Sequence, residues 1–271
     1  MGSPLRLMAV LAHPDDESLG FGGTLAKYAA EGVETFLVTA TRGESGRYGL
    51  GEAHPGPDAL GAIREAELRA ASAELGVRDV ELLGYRDKVL DRADPAEAVS
   101  CIARHLRRVR PDVAITFGPE GGYGHPDHIA ICQFTTAAVV AAASAGDGVD
   151  GRTDEPHRVA KLYYMAWGPE KWNAYQAAFK TLVSHVGGVE RRATPWPDWA
   201  ITTRIDTAAH WPAVWRAVQC HQTQMAGYER LGHLSPEHHQ GLWGSQEFYR
   251  AMSLVNGGPD VETDLFAGLR S

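Results

Sequence analysis

Two hydrophobic periodicities alternate along the first half of the chain. Continuous apolar runs begin at Leu7 and cover Val33 to Thr41, Val77 to Leu83 and Val113 to Phe117, the pattern of strands buried on both faces. Between them, apolar residues recur at helical spacing over Glu17 to Ala30 (Leu19, Phe21, Leu25, Tyr28), Ala62 to Leu75, Pro95 to Arg108 and Ile129 to Ser144. Gly32 and Gly76 serve as stops, and Asp94 caps a helix that has Pro95 at its first position. Strands and helices alternating at this interval form βαβ units with right-handed crossovers. The chain is therefore expected to be an α/β protein, a Rossmann-like three-layer fold around a mainly parallel sheet.

The second half is less regular. Gly146 to Arg158 is polar and turn-rich and reads as a surface loop. Val159 to Trp167 reads as a strand, Gly168 to Val183 as a helix, Ile201 to Ile205 as a short strand, Thr207 to Gln224 as a helix and Ser245 to Leu254 as another helix. No repeat, low-complexity tract or clean linker separates the halves. Residues 1–271 are thus expected to form one domain, with a Rossmann-like core over 1–145 and the remaining strands, helices and a cap over 146–271. Trp196, Trp199, Trp211 and Trp215 are expected to cement that cap by packing.

Chemistry enters where two strands stop. The first runs into Ala12-His13-Pro14-Asp15-Asp16-Glu17, and the fourth into Gly121-Gly122-Tyr123-Gly124-His125-Pro126-Asp127-His128. Both lie at the C-terminal edge of the sheet, where α/β folds keep their active sites. His13 and Asp16, three residues apart across a tight turn, and His128 from the neighbouring strand end supply three N/O ligands for a catalytic zinc with open positions. Asp15 then stands beside the ion as general base for a water acidified by it. His125 is expected to protonate the leaving group or stabilise the oxyanion, oriented by Asp127 through its other ring nitrogen, and Tyr123 to offer a hydroxyl to the same oxyanion. Glu17 is assigned to the helix start or to support behind the ligands. The Gly- and Pro-rich stretch Arg42 to Gly61 carries Arg42, Glu44 and Arg47 over the same edge. A long loop there is more often functional than idle, and Glu44 is expected to reach the substrate.

Composition narrows the partners. The chain has 34 acidic residues against 26 Lys and Arg, a formal charge of -8, which argues against a polyanion and for a small or neutral substrate. Arg104, Arg107, Arg108 and Arg110 close a helix, where they suit the negative end of its dipole better than a nucleic acid. Cys101, Cys132 and Cys220 are far apart with no Cys-x-x-Cys, so reduced thiols in helices are expected, with neither a disulfide framework nor a thiolate metal site. No apolar stretch spans a bilayer and no signal-peptide order is visible. The expectation is a cytoplasmic protein with no membrane or nucleic-acid partner, and with a homo-oligomer left open.

The pairing of Ala12-His13-Pro14-Asp15-Asp16-Glu17 with His125-Pro126-Asp127-His128 resembles the LmbE-like or PIG-L family of zinc-dependent N-deacetylases, over about residues 5–145. That family removes acetyl from N-acetylglucosamine-containing molecules. The resemblance implies zinc, with iron(II) as the alternative ion, on His13, Asp16 and His128, Asp15 as base and His125 assisting the tetrahedral intermediate. Gly121 to His125 and the tail Glu262 to Leu269 are similar to the mycothiol branch, which acts on N-acetylglucosaminyl-inositol or on mycothiol conjugates. The positions that hold the sugar in that branch fall on Arg64 and Asp87, and His221, in Cys220-His221-Gln222-Thr223-Gln224, matches a recurrent family segment and is expected among the substrate contacts. The expected reaction is hydrolysis of the N-acetyl group of an N-acetylglucosamine-containing small molecule to acetate and free amine.

Other classes compete. Gly20-Phe21-Gly22-Gly23 follows the first strand as a dinucleotide-binding turn would, but Leu25 replaces the third glycine and the acids would repel a pyrophosphate. A non-catalytic metal-dependent binding protein would need neither Asp15 nor His125. The closest rival is a zinc amidase acting on a non-sugar or thiol-conjugate amide.

Overall fold

Leu7 to Ala12 are all fully buried, which is why the first strand, β1 (Arg6–Leu11), is apolar throughout instead of alternating. The computed structural model describes residues 4–49, 53–147, 153–179, 183–186, 188–192 and 194–270. β1 lies near the middle of a seven-stranded sheet. On one side stand β2 (Glu34–Thr41) and β3 (Asp79–Tyr85), on the other β4 (Val113–Thr116) and β5 (Lys161–Met165), all parallel. Two antiparallel strands, β6 (Thr203–Asp206) and β7 (Ser245–Ser253), complete the order β3-β2-β1-β4-β5-β7-β6. The mainly parallel α/β sheet expected from the pattern is thus present, flanked by α1 (Asp16–Leu19), α2 (Gly22–Ala30), α3 (Pro57–Glu74), α4 (Pro95–Val109), α5 (Pro126–Ala142), α6 (Pro169–Phe179), α7 (Trp211–Cys220) and α8 (Pro236–Trp243).

The chain builds outward from β1 to β2 and β3, then crosses to β4 on the other side. The β1/β4 boundary is therefore a point where strand order reverses, and a crevice opens at the carboxyl ends there. The register Leu7 to Val113, Met8 to Ala114 and Ala9 to Ile115 brings the two motif-bearing turns side by side.

Several elements depart from expectation. The helix expected over Glu17 to Ala30 is broken into α1 and α2 at Gly20, where Gln246 bridges the gap by donating to the Gly20 carbonyl (2.8 Å) and accepting from the Thr24 amide (2.6 Å). α3 begins at Pro57, not Ala62, because Pro at the first helical position follows Gly56 at φ 94; the loop over the site is correspondingly shorter. The helix expected over Ser245 to Leu254 is corrected: Ser245–Ser253 is a strand. Phe248 and Met252 mimic a helical period, while the inward-facing partner of Phe248 is the polar Gln246, so the alternation is hidden. Residues 50–52 and 148–152, within the two expected loops, lie outside the described residues.

The second half thus supplies three sheet strands besides its cap. Of the four tryptophans expected to pack, Trp211 and Trp215 lie against His239 and Trp196 against Tyr249, but Trp199 is 85% exposed. The tail locks onto the sheet through Glu262, which accepts from Lys161 Nζ (2.6 Å), Tyr163 Oη (2.7 Å), Thr203 Oγ1 (3.0 Å) and Asn256 Nδ2 (2.7 Å). The three cysteines are free and lie in α4, α5 and α7. Among the described residues no helix is long and apolar enough to cross a membrane.

Candidate metal centre and active site

Leaving β1, the backbone turns through Asp15 at φ 104, a left-handed conformation that costs a non-glycine residue roughly 1–3 kcal/mol and collects at functional sites. Asp16 braces the turn: its Oδ2 accepts from the amides of Ala12 (3.2 Å) and His13 (2.8 Å), leaving Oδ1 for other work. After β4 the chain passes through Gly121 and Gly122, both at positive φ. At Gly121 an added Cβ would stand 2.8 Å from Ile129 Cγ1 and 3.0 Å from the Ile129 amide, so only glycine fits. His125 then caps α5 by accepting the Asp127 amide at Nδ1, and Pro126 opens the helix. His128 therefore lies in the first turn of α5, its ring stacked on Phe117 at 3.9 Å.

The two turns bring three donors together. His13 Nδ1 lies 3.2 Å from His128 Nε2, which lies 3.4 Å from Asp16 Oδ1; His13 Nδ1 is 3.6 Å from the other Asp16 oxygen. The outer nitrogens fix both tautomers. His128 Nδ1 donates to the Gly121 carbonyl (3.2 Å), and His13 Nε2 donates to Asp127 Oδ2 (3.2 Å) and Asp87 Oδ1 (3.1 Å). Two imidazole nitrogens and the Asp16 carboxylate, one oxygen toward each ring, thus cluster here, and ligand atoms of His13, His125 and His128 also lie within 4.8 Å of one another. A tetrahedral ion with bonds of 2.0–2.1 Å has ligand–ligand edges of about 3.3 Å, close to the His13–His128 and His128–Asp16 Oδ1 separations, so the donor types and spacing fit a divalent metal.

Electrostatics agree. Burial alone would lower the His13 imidazole, but hydrogen bonds with Asp127, Asp16 and Asp87 outweigh it and hold the group well above its ordinary value: the spot favours a cation. Asp16, despite burial, is kept well below the usual carboxylate range by His128 and His13. Asp87 is brought down to about 2, burial being overcome by its hydrogen bonds to His13 and the Ser45 amide.

Asp15 does not converge with these ligands. Its Oδ2 accepts from Arg64 (2.9 Å) and from the Tyr228 hydroxyl (2.6 Å), while Oδ1 has no hydrogen bond among the described residues. Burial raises its pKa, with Arg64 opposing. Burial, with His128 and His13 close by, pushes His125 down to about 3, so at neutral pH it is an uncharged imidazole whose Nε2 carries the proton. Burial likewise raises the Tyr123 hydroxyl, keeping it a donor.

Other expected roles shift. The Asp127 carboxylate does not orient His125: its oxygens go to His13 Nε2, the Lys88 amide (2.7 Å) and the Leu90 amide (3.1 Å), and only its backbone N–H serves His125. Asp87 lines the cavity, but its oxygens are engaged with His13 and Ser45. Arg64 also lines the cavity, tied to the Gly43 carbonyl, the Pro14 carbonyl and Asp15. Glu44 lies off the wall and accepts the Asp87 amide. His221 is fully buried away from the cavity, 2.7 Å from Glu17, whose second oxygen accepts the Asp15 amide (2.9 Å). Tyr228, which carries no motif, was not singled out by its sequence; no local pattern marks a contact made across 213 residues.

The cavity holding these groups measures about 270 Å³. Its metal-side floor is His13, Asp15, Asp16, Tyr123, His125 and His128. From Phe117, stacked on His128, an apolar wall runs through Met165 to Tyr175 and Trp167, the last two stacked at 4.3 Å.

Residues 8–139 match the PIG-L family, described as GlcNAc-PI de-N-acetylase. A 1D-myo-inositol 2-acetamido-2-deoxy-alpha-D-glucopyranoside deacetylase from Kineococcus radiotolerans is 38% identical, the match covering 99% of this chain and 84% of that protein. Among solved structures, the conserved protein TT1542 from Thermus thermophilus is 27% identical with a TM-score of 0.65, covering 93% of this chain and 97% of its own. The 4-carboxy-2-hydroxymuconate hydratase GalB from Pseudomonas putida shares the fold at 18% identity and a TM-score of 0.67, over 94% of this chain and 99% of its own. With the motif-bearing half matched to the family and a relative this similar along nearly its whole length, the chain belongs to the PIG-L family.

Proposed function

We propose that this protein is a zinc-dependent N-deacetylase that hydrolyses the acetamide of an N-acetylglucosamine-containing small molecule to acetate and free amine. The observation that carries this reading is the Asp15 carboxylate, one oxygen tied down and the other open, beside three donors converging on the cavity floor. The Kineococcus relative is named for such a substrate, an acetamido sugar of myo-inositol. Because a hydratase shares the fold, the choice of amide hydrolysis rests on these residues and the relative, not on architecture.

His13, Asp16 and His128 would hold the ion. When bound, it supplies an acidified water and polarises the acetamide carbonyl. Asp15 Oδ1 takes the proton from the attacking water, while Oδ2 stays fixed by Arg64 and Tyr228. The His125 Nε2–H donates to the carbonyl oxygen as negative charge develops there, aided by the Tyr123 hydroxyl. The C–N bond breaks as the proton taken up by Asp15 passes to the amide nitrogen, so Asp15 returns to its carboxylate, water is added across the amide and nothing is oxidised. Asp87 and Asp127 hold His13 in the tautomer that leaves Nδ1 free. Cavity residues come from both halves, and we treat residues 1–271 as one catalytic unit.

The apolar wall favours a second reading, an amidase for bulkier or thiol-conjugate amides. A free-amine assay over N-acetylglucosaminyl-inositol, simpler N-acetylglucosamine glycosides and thiol-conjugate amides separates the two. The first reading requires the acetamido sugars to be the better substrates; preference for conjugates reverses the order, and inertness of all acetamido sugars rejects it.

A further inference from the structure

The Asp15 turn is held by a stretch of chain from the other end of the sequence. Its amide, at positive φ, donates to Glu17 Oε2 (2.9 Å), and Glu17 Oε1 accepts from Ser18 Oγ (2.5 Å) and faces His221 Nε2 (2.7 Å). Glu17 and His221 are both completely shielded from solvent. On the carboxylate side, Tyr228 Oη donates to Asp15 Oδ2 at 2.6 Å. The segment bearing His221 and Tyr228 is itself anchored, since the Thr223 amide and hydroxyl donate to the two oxygens of Glu67 (both 2.7 Å). Glu67 sits one turn along α3 from Arg64, the other group on Asp15 Oδ2. Gln224 donates to the Arg47 carbonyl (2.8 Å), tying the same segment to the loop above the site.

We propose that residues 221–228 act as a brace that positions the base, with His221 working through Glu17 on the Asp15 backbone and Tyr228 working directly on its carboxylate. Both are positioning residues, and this gives His221 a role that the cavity does not. A fully buried ionisable pair is a poor way to gain stability compared with apolar packing of the same volume, whereas it fixes a conformation that the backbone would otherwise leave. The brace occupies Oδ2 and leaves Oδ1 as the one oxygen able to take a proton. A base displaced by about 1 Å can lose on the order of a hundredfold in rate, so the hydrogen bonds of the brace belong to the rate and not to substrate affinity.

The proposal rests on Asp15 being the base in the reading above, and two readouts separate the two claims. In the zinc-loaded enzyme Tyr228→Phe is expected to lower kcat by about tenfold to a hundredfold with KM within about twofold and metal content unchanged. Placed on Asp15→Asn, the same substitution is expected to change the residual rate less than twofold, because there is no base left to position. Independently of turnover, crystal structures of Tyr228→Phe and of His221→Gln are expected to show the Asp15 carboxylate rotated or split between rotamers while His13, Asp16 and His128 stay in place. An Asp15 unmoved in both variants overturns the brace, as does a Tyr228→Phe loss that persists undiminished without the Asp15 carboxylate. A wild-type enzyme inert on every acetamido sugar counts against the proposed reaction instead, and the crystallographic comparison still decides the brace.

Discussion

His13 Nδ1 and His128 Nε2 face each other across 3.2 Å with both outer nitrogens already committed, His13 to two carboxylates and His128 to a backbone carbonyl. At this separation a cation between them, a shared proton or a metal ion, serves both lone pairs. That relationship, built from two turns at neighbouring strand ends, is the core of the candidate metal site.

Removing either lone pair should remove the ion. His13→Ala and His128→Ala are each expected to purify with well under one equivalent of divalent metal while the wild type, reconstituted with zinc, carries about one. Elemental analysis of the desalted proteins gives the answer, and a His13→Ala protein with full metal occupancy would place the ion elsewhere.

Asp15 and the ligands should separate cleanly. Asp15→Asn is expected to keep its zinc and lose about 10²- to 10⁴-fold in kcat, the usual contribution of a general base. A variant within a few fold of wild type would assign the proton transfer to another group.

Asp87 discriminates between two roles. The sequence resemblance placed it on the sugar, whereas the structure has its oxygens on His13 Nε2 and the Ser45 amide. Asp87→Asn is therefore expected to weaken zinc affinity about 10- to 100-fold, measured by competition with a chelator, with KM at saturating zinc changed much less. A raised KM with unaltered zinc affinity would restore the sugar-holding role.

Glu262 sets an acid limit on stability. Burial on its own would raise its pKa, but hydrogen bonds from Lys161, Asn256 and Tyr163 bring it down to about 2. In the unfolded chain it returns to about 4.3. Its contribution is therefore complete above about pH 4.3 and disappears as pH falls towards 2. Glu262→Ala, which strands Lys161 in the interior, is expected to cost about 3–5 kcal/mol at pH 7. Denaturant melts of the two proteins should converge as pH drops from 5 to 2; a difference that stays constant would show that the carboxylate charge is not what matters.

What was legible in the sequence follows from how far each feature's causes extend along the chain. The strands and helices of the first half could be read because burial on both faces, Asp94 before Pro95, and the glycine stops are local signals. The two turns were legible for the same reason, since His13 to Asp16 and His125 to His128 are each set by a few adjacent residues. Ser245 to Leu254 reads as a helix, although its first nine residues are a strand, because the inward position beside Phe248 is filled by Gln246, whose hydrogen bonds to Gly20 and Thr24 come from the far end of the chain. Tyr228 and the Glu17–His221 pair were opaque in the same way, since they depend on contacts that no periodicity records. The exchange of partners at Asp127, from His125 to His13, needed the relative rotation of two strand ends.

Following both products from N-acetylglucosaminyl-inositol, with protein stripped of metal and then reloaded with zinc, decides whether the proposed chemistry occurs. The stripped protein is expected to release nothing and the reloaded protein to release acetate and free amine in equal amounts. Equal turnover by the stripped protein, or zinc-loaded protein that leaves the acetamide intact, would overturn the deacetylase reading.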